Sequence, residues 1–212
     1  MGLVDQAVKR SKPLRRGEML FEAGDVFKSI YAVRSGALKS YSIDENGDEQ
    51  VFGFFLPGEL LGMDAIDTGT HVSSAMTLEN SAVCEIPFHQ VESLSHVIQN
   101  LQSHMYRLLS REIRQDQELQ MLLGKKTAEE RMSAFLVNLS LRYEQRKLSP
   151  FRFRLPMARA DIGNYLGLAV ETVSRVITRL QNNCILSVDG KEVEILDRRR
   201  LCEVAHDECV NH

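Results

Sequence analysis

Residues 161–181 read DIGNYLGLAVETVSRVITRLQ. On a helix, Val173, Ile177 and Leu180 repeat at i, i+4, i+7 and form an apolar face. Glu171, Ser174, Arg175 and Thr178 repeat at i, i+3, i+4, i+7 and form a second face that is short, polar and mixed in sign. The first stripe is ordinary core. The second is either a solvated surface with an i, i+4 Glu–Arg pair, contributing roughly a few tenths of a kcal/mol, or a set of side chains arranged to read something.

What surrounds the stretch decides between the two. Residues 159–178 fit a helix-turn-helix position by position, with helices expected at about 159–167 and 170–182. Gly163 is small where the helices cross, and Gly167 supplies a turn of the kind that needs a positive φ. Ile162, Leu166, Leu168, Val173 and either Val176 or Ile177 would knit the pair together. The following ILSVDGKEVEIL (185–196) has two β-like runs around Asp189-Gly190, a hairpin signal that would make a wing.

In such a unit the second helix enters the major groove of double-stranded DNA by its N-terminal half. Arg175 can donate two hydrogen bonds to guanine O6 and N7. Glu171 can accept from a cytosine amine and orient Arg175 from the same face, and Ser174 can reach a base edge or a phosphate. Arg159, Thr172, Thr178 and Arg179, with the basic loop ahead of them, fall to the DNA backbone.

The charge distribution agrees. Residues 1–124 carry 11 basic and 17 acidic residues, a net of −6, whereas residues 125–212 carry 15 and 12, a net of +3. Arg142, Arg146, Lys147, Arg152, Arg154 and Arg159 crowd into 142–159 against the single acid Glu144. An acidic front and a basic back imply parts with different partners, although a solvated basic face would look the same.

Working back from the motif, Gly124-Lys125-Lys126 ends one helix and Thr127-Ala-Glu-Glu130 opens another, to about Tyr143, as a capping box. EQRKLSPFRFRLPM (144–157) reads as a loop, and a last helix is expected near 197–206. A long helical pattern runs from about Ser95 to Leu123 without Gly or Pro. Ile98, Leu101, Met105 and Leu108 form one stripe, suited to lying on the front domain. Leu109, Ile113, Asp116, Gln120 and Leu123 form a second at heptad spacing, which suits a two-helix seam and therefore a homodimer. Residues 14–90 show short apolar runs between turn signals at Gly24-Asp25, Ser35-Gly36, Asn46-Gly47 and Pro57-Gly58, the pattern of a barrel or jelly roll.

The expected fold is thus α+β: a β jelly-roll sensor domain at 1–94, a dimerisation helix at 95–124 and a winged helix-turn-helix at 125–212. With 43% apolar and 26% charged residues the chain reads as globular. No apolar run approaches the roughly 20 residues that span a bilayer, and no signal peptide precedes the first charges, so no membrane partner and a cytoplasmic location are expected. An enzyme is not expected, since the chain has no Gly-rich phosphate loop, HExxH or GxSxG. Cys84, Cys184, Cys202 and Cys209 include no CxxC pair, which argues against a disulfide framework and against a closed metal site.

This order of parts resembles the CRP/FNR family of bacterial regulators over nearly the whole chain. DIGNYLGLAVETVSR, SIYAVRSGALKSYSI, GDEQ, SAVCEIPF and KKTAEER are similar to its FNR/ANR branch of anaerobic regulators. The resemblance implies a cyclic-nucleotide-binding-like front domain. It also implies that Glu171, Ser174 and Arg175 read a TTGAT half-site of a palindrome.

Members that bind cyclic AMP use a Glu for the ribose and an Arg for the phosphate. PGELLGMDAIDTGTHVSSA (57–75) places Met63 and Ser73 at those positions. Without the guanidinium a buried phosphate loses its charge-assisted partner, so no cyclic AMP response is expected.

FNR-type members hold a [4Fe–4S] cluster on four cysteines, three N-terminal and one in the barrel. Cys84 matches the barrel ligand, and the chain starts with MGLVDQAVKR, past where the others would stand. In this chain as it stands no cofactor is expected, and Cys84 reads as a small core residue. In a longer parent it reads as a cluster ligand with oxygen- or redox-linked control. Cys184, Cys202 and Cys209 match no ligand and read as structural or free thiols.

Asp116 would face its mate in a symmetric parallel dimer, and two like charges there oppose association. Gly47 and Asp48, in the loop Asp44–Gln50, and the segment Tyr143–Phe153 match regions that touch RNA polymerase in the family. The alternatives are a paralogue that senses haem or another small effector, with His71, His89, His96 and His104 as candidate axial ligands, and a winged helix that binds protein instead of DNA.

Overall fold

The structure is a computed structural model that describes residues 9–10, 13–95 and 100–206. The chain divides into two compact units, Met1–Arg114 and Gln115–His212.

The first unit is built on eight strands: β1 (Lys9–Arg10), β2 (Met19–Phe21), β3 (Ser29–Ser35), β4 (Leu38–Ile43), β5 (Glu49–Phe55), β6 (Leu60–Leu61), β7 (Ser74–Thr77) and β8 (Ala82–Pro87). They form two antiparallel four-stranded sheets, in the orders β1-β8-β3-β6 and β2-β7-β4-β5. Successive side chains alternate across a strand, and the inward set of each sheet makes the core. Val33, Leu61 and Val83 come from one sheet, and Phe21, Leu38 and Ala75 from the other. This is the jelly roll that the spacing of apolar runs predicts.

Cys84 departs from its core reading. Its neighbour Val83 points into the core at 1% exposure, so Cys84 faces the other side of the sheet, and it is only partly buried. In register it sits opposite Ala32 of β3 and Arg10 of β1.

Two helices follow, α1 (Phe88–Ser95) and α2 (Leu101–Lys125). The helix expected from about Ser95 therefore starts at Leu101. Asn100, with φ at 77°, lies just before it, in the left-handed region that Asn tolerates and a helix interior does not. Ile98 and His96 lie outside the described residues. Leu101, Met105 and Leu108 are half-buried. No residue of α2 is fully buried within the chain. Of the seam stripe, Ile113 is 59% exposed, Asp116 and Gln120 are exposed, and Leu109 and Leu123 are half-buried. Among the described residues no helix is long and apolar enough to cross a membrane.

The second unit takes the end of α2, then α3 (Ala128–Gln145), β9 (Arg152–Arg154), α4 (Arg159–Leu166), α5 (Val170–Asn182), β10 (Leu186–Asp189), β11 (Glu192–Ile195) and α6 (Arg198–Ala205). The capping box at Thr127 forms as expected. Thr127 Oγ1 accepts from the Glu130 amide, and Glu130 accepts from the Thr127 amide. The hairpin β10–β11 turns at Asp189-Gly190. The segment 144–157 is more than a loop, because Arg152–Arg154 pairs with β11 to give a three-stranded sheet in the order β10-β11-β9. The pattern Arg-Phe-Arg puts Phe153 into the core at 4% exposure and both arginines outside. Three residues are too few to show a period, and only the partner strand makes them a strand. Cys202, buried on α6, departs from its reading as a thiol, because it is disulfide-bonded. Cys184 is an exposed free thiol, and Cys209 lies outside the described residues.

Candidate nucleic-acid interface

The turn between α4 and α5 follows from two glycines. Gly167 adopts φ 62°, ψ 41° and ends α4. Its amide donates to Asn164 O at 3.2 Å, and the Leu168 amide donates to Gly163 O at 2.8 Å. That bond pattern is a Schellman stop. Gly163 has a different task. A Cβ there would lie 2.6 Å from the Leu168 carbonyl oxygen, so only glycine lets the turn fold against the helix. Asp161 supplies half a cap at the other end of α4, its carboxylate accepting from the Ala158 amide at 2.9 Å.

One face of α5 is buried by Val173, Val176, Ile177 and Leu180, so Val176 and Ile177 both join the core. Ile162 and Leu166 meet them from α4 as expected, whereas Leu168 is only half-buried. The Tyr165 ring lies on Phe135 of α3, with centroids 5.8 Å apart. Burial lifts the Tyr165 phenol above its ordinary pKa. The Arg142 guanidinium opposes that rise and the Asp116 carboxylate adds to it.

The opposite face of α5 carries the residues expected to read DNA. Glu171 and Arg175 are exposed, and Ser174 is half-buried. The Glu171 side chain makes no hydrogen bond or ion pair among the described residues, so it does not orient Arg175. Arg175 leans one turn back instead, Nη2 donating to Thr172 Oγ1 at 3.0 Å. Ser174 Oγ donates to Val170 O at 3.1 Å and accepts from Arg159 Nη1 at 3.3 Å. Thr178 Oγ1 donates to Ser174 O at 3.0 Å. Arg179 Nη1 reaches Glu129 of α3 at 2.8 Å. The Arg179 side chain is 66% exposed in that pair and the Glu129 side chain 26%, so a phosphate can reach the guanidinium from the solvent side.

The basic run behind the motif is partly neutralised by residues distant in sequence. Arg152 pairs with Glu194 at 2.6 Å and Arg154 with Glu192 at 3.9 Å, both acids on β11. Both pairs are solvated, so the wing pairing gives two of the expected phosphate-contact cations carboxylate partners that a phosphate can replace at little cost.

Sequence reasoning missed Arg131 on α3. Its Nη2, Nε and Nη1 donate to Leu123 O at 2.7 Å, Lys126 O at 2.8 Å and Leu166 O at 3.1 Å. The available signal was its placement. A cation near the start of a helix opposes the local dipole, which hints at partners elsewhere.

Gly47 and Asp48 stand exposed at the tip of β4–β5. The Asp44 carboxylate accepts from the Asn46 and Asp48 amides, both at 2.9 Å. Hydrogen bonds from Asp48 first, then Asn46 and Gly47, hold its carboxyl below the usual range. His71 is committed to its neighbours, with Nδ1 3.1 Å from Asp64 Oδ1 and its ring stacked on Phe21 at 3.8 Å. His89 and His104 are exposed.

A family model described as a cyclic nucleotide-binding domain matches residues 11–96, and one described as a Crp-like helix-turn-helix domain matches residues 130–204. The transcriptional activator protein Anr of Pseudomonas aeruginosa is 55% identical over 97% of this chain and 84% of that protein. The chain belongs to the CRP/FNR family of transcriptional regulators.

This CRP/FNR regulator is also 52% identical to the fumarate and nitrate reduction regulatory protein of Escherichia coli K12, over 95% of this chain and 81% of that one. Among solved structures, FixK2 from Bradyrhizobium japonicum superposes with a TM-score of 0.83 at 28% identity, covering 95% of this chain and 98% of that one. The regulator is of the FNR type and binds DNA through its helix-turn-helix.

The iron–sulfur cluster expected for a longer parent does not fit the described residues. Cys84 is the one match to a ligand, and among the described residues no group of three or more His, Cys, Asp or Glu side chains gathers to hold a metal.

Proposed function

We propose that this regulator binds a TTGAT-like palindrome as a homodimer, with Glu171, Ser174 and Arg175 reading base edges and Arg159, Thr172, Thr178 and Arg179 contacting the backbone. The carrying observation is that Glu171 and Arg175 are exposed on the outer face of α5 with no ion pair between them. Neither has to break a mutual salt bridge before meeting a base.

The test is fluorescence anisotropy on a TTGAT palindrome and on a scrambled duplex at several salt concentrations. The palindrome should bind about a thousandfold more tightly, with log K falling linearly in log salt as phosphate counterions are released. Equal affinity for both duplexes would sink the sequence-reading role. Absence of any salt slope would favour a protein partner.

Dimerisation is proposed through the stripe Leu109, Ile113, Asp116, Gln120 and Leu123, whose middle is exposed in the single chain. Leu109, Ile113 and Leu123 attract, and paired Asp116 carboxylates repel. Asp116→Ala should therefore tighten the dimer by about tenfold in sedimentation equilibrium, the size expected for removing one like-charge contact at a seam. An unchanged or weaker dimer would place Asp116 outside the seam.

The front domain is proposed not to respond to cyclic AMP. The Asp64 carboxylate already accepts from the Val72 amide at 3.2 Å, the Ser73 amide at 3.1 Å and Ser73 Oγ at 2.8 Å. An internal anion thus occupies donors that a phosphate would use, and among the described residues no arginine is bonded beside them to offset a second negative charge. Calorimetric titration should show no heat of binding up to millimolar cyclic AMP, and a micromolar dissociation constant would refute this.

Redox-linked control is proposed for a form of the protein that supplies further cysteines ahead of Lys9. The supporting observation is the pairing of β1 with β8, which sets Arg10 opposite Cys84. Contacts with RNA polymerase are proposed at Gly47 and Asp48 and at Tyr143–Phe153, supported by the exposure of the β4–β5 tip and of Lys147, Leu148 and Phe151.

A further inference from the structure

Three helices of the second unit end against the first turn of α3. Arg131 takes one carbonyl from the last turn of α2, Leu123 O, one from Lys126 just past it, and one from the end of α4, Leu166 O. Lys126 Nζ donates to Ala205 O, the last residue of α6, at 2.7 Å. His206 Nε2 lies 3.1 Å from Glu130. Each helix C-terminus carries about half a negative charge on its unpaired carbonyls. Convergence of such ends is unfavourable unless cations stand between them, and Arg131 and Lys126 are those cations.

Arg131 also touches the helix-turn-helix at its bend. A Cβ on Gly167 would lie 3.4 Å from Arg131 Nη1 and 3.6 Å from Leu123 Cδ2. The turn that aims α5 is thus packed on the guanidinium and on the last stripe residue of the long helix. A planar guanidinium holds its donors in a fixed fork, so carbonyls of two elements are set at a defined separation and angle. A lysine ammonium keeps the charge but not the fork.

We propose that Arg131 is the positioning residue that locks the end of the dimerisation helix to the helix-turn-helix, so that it sets the separation of half-sites the dimer accepts. This rests on the palindromic-DNA reading above. A dimer that reads two half-sites gains from both only if its recognition helices match their spacing. A rigid strut makes that match sharp, and a loose one blurs it.

The test compares the wild-type chain with Arg131→Lys and Arg131→Gln. Duplexes carry the palindrome the wild type selects from a random library, the same sites moved apart or together by one or two base pairs, or one half-site alone. Wild type should prefer its own spacing by about tenfold or more. Both variants should bind the single half-site within about twofold of wild type, because no reading residue has changed, while their preference among spacings falls below about threefold.

Amide hydrogen exchange at Gly167 and Leu168, measured without DNA, should quicken in both variants as the turn loosens. An equal loss of affinity at every spacing and at the half-site would mark a merely structural role and overturn the proposal. So would a preserved spacing preference, or unchanged exchange at the turn. If the wild type selects no palindrome, the palindromic reading fails, and the exchange measurement decides the role of Arg131 by itself. Should the glutamine variant fail to fold, the lysine variant, which retains the charge, carries both measurements.

Discussion

Arg175→Ala should lower affinity for the palindrome by about a hundredfold to a thousandfold while leaving the melting temperature unchanged. A bidentate arginine–guanine contact contributes roughly 1–3 kcal/mol of discrimination, and a dimer loses it twice. Stability should hold because the guanidinium is exposed and makes one hydrogen bond, to Thr172 on its own helix. Surface changes of that kind usually stay within about 0.5 kcal/mol.

Two further readouts separate base reading from simple charge loss. Affinity for scrambled DNA should fall far less than affinity for the palindrome. The salt slope should barely move, whereas Arg179→Ala, removing a proposed phosphate contact, should reduce it by about one unit per half-site with little effect on sequence preference. A uniform loss across all sequences for Arg175→Ala would reassign that residue to the backbone.

Gly163→Val should cost about 3 kcal/mol or more and abolish DNA binding. Two effects oppose each other at this position. A helix-interior glycine is a poorer helix former than alanine by roughly 0.5–1 kcal/mol, so adding a side chain gains something locally. Against that, the new Cβ would sit 2.6 Å from the Leu168 carbonyl oxygen. That oxygen is backbone of the residue whose own amide is bonded to Gly163 O, so moving it disturbs the turn. Forced overpacking usually costs about 1–3 kcal/mol, and more when the obstacle is backbone.

Alanine at 163 should therefore be a net loss of about 1–2 kcal/mol, and branched valine a larger one. At roughly 2–4 °C per kcal/mol for a chain of this length, valine should lower the melting midpoint by about 6–12 °C. A midpoint equal to that of wild type would show that the turn can move and that the close approach does not hold α5 in place.

Several parts of this protein were legible because their causes are local. The stripe Val173, Ile177, Leu180, the stop at Gly167, the capping box at Thr127 and the hairpin at Asp189-Gly190 each depend on residues a few positions apart. Periodicity, caps and turn residues carry that information. β9 was not legible, because Arg152–Arg154 is a strand only through pairing with Glu192–Glu194. Nor was the pairing of its charges legible, since the acids beside Arg152 and Arg154 lie about 40 residues on. The start of α2 at Leu101 was obscured because the apolar period of Leu101, Met105 and Leu108 carries no sign of the left-handed Asn100 just before it.

From the sequence alone, then, came the second unit's helices and turn and the polar face of α5, because helix periodicity and glycine conformation act within one or two turns of chain. The tertiary structure alone decided where the charges end up. It set Arg175 on Thr172 instead of Glu171. It set the wing arginines beside acidic strand neighbours, turned Cys84 away from the core beside β1, and brought Arg131 to three carbonyls at the ends of two helices. A charge acts over a few ångströms in space whatever its distance along the chain, so its partner is known only once the chain has folded.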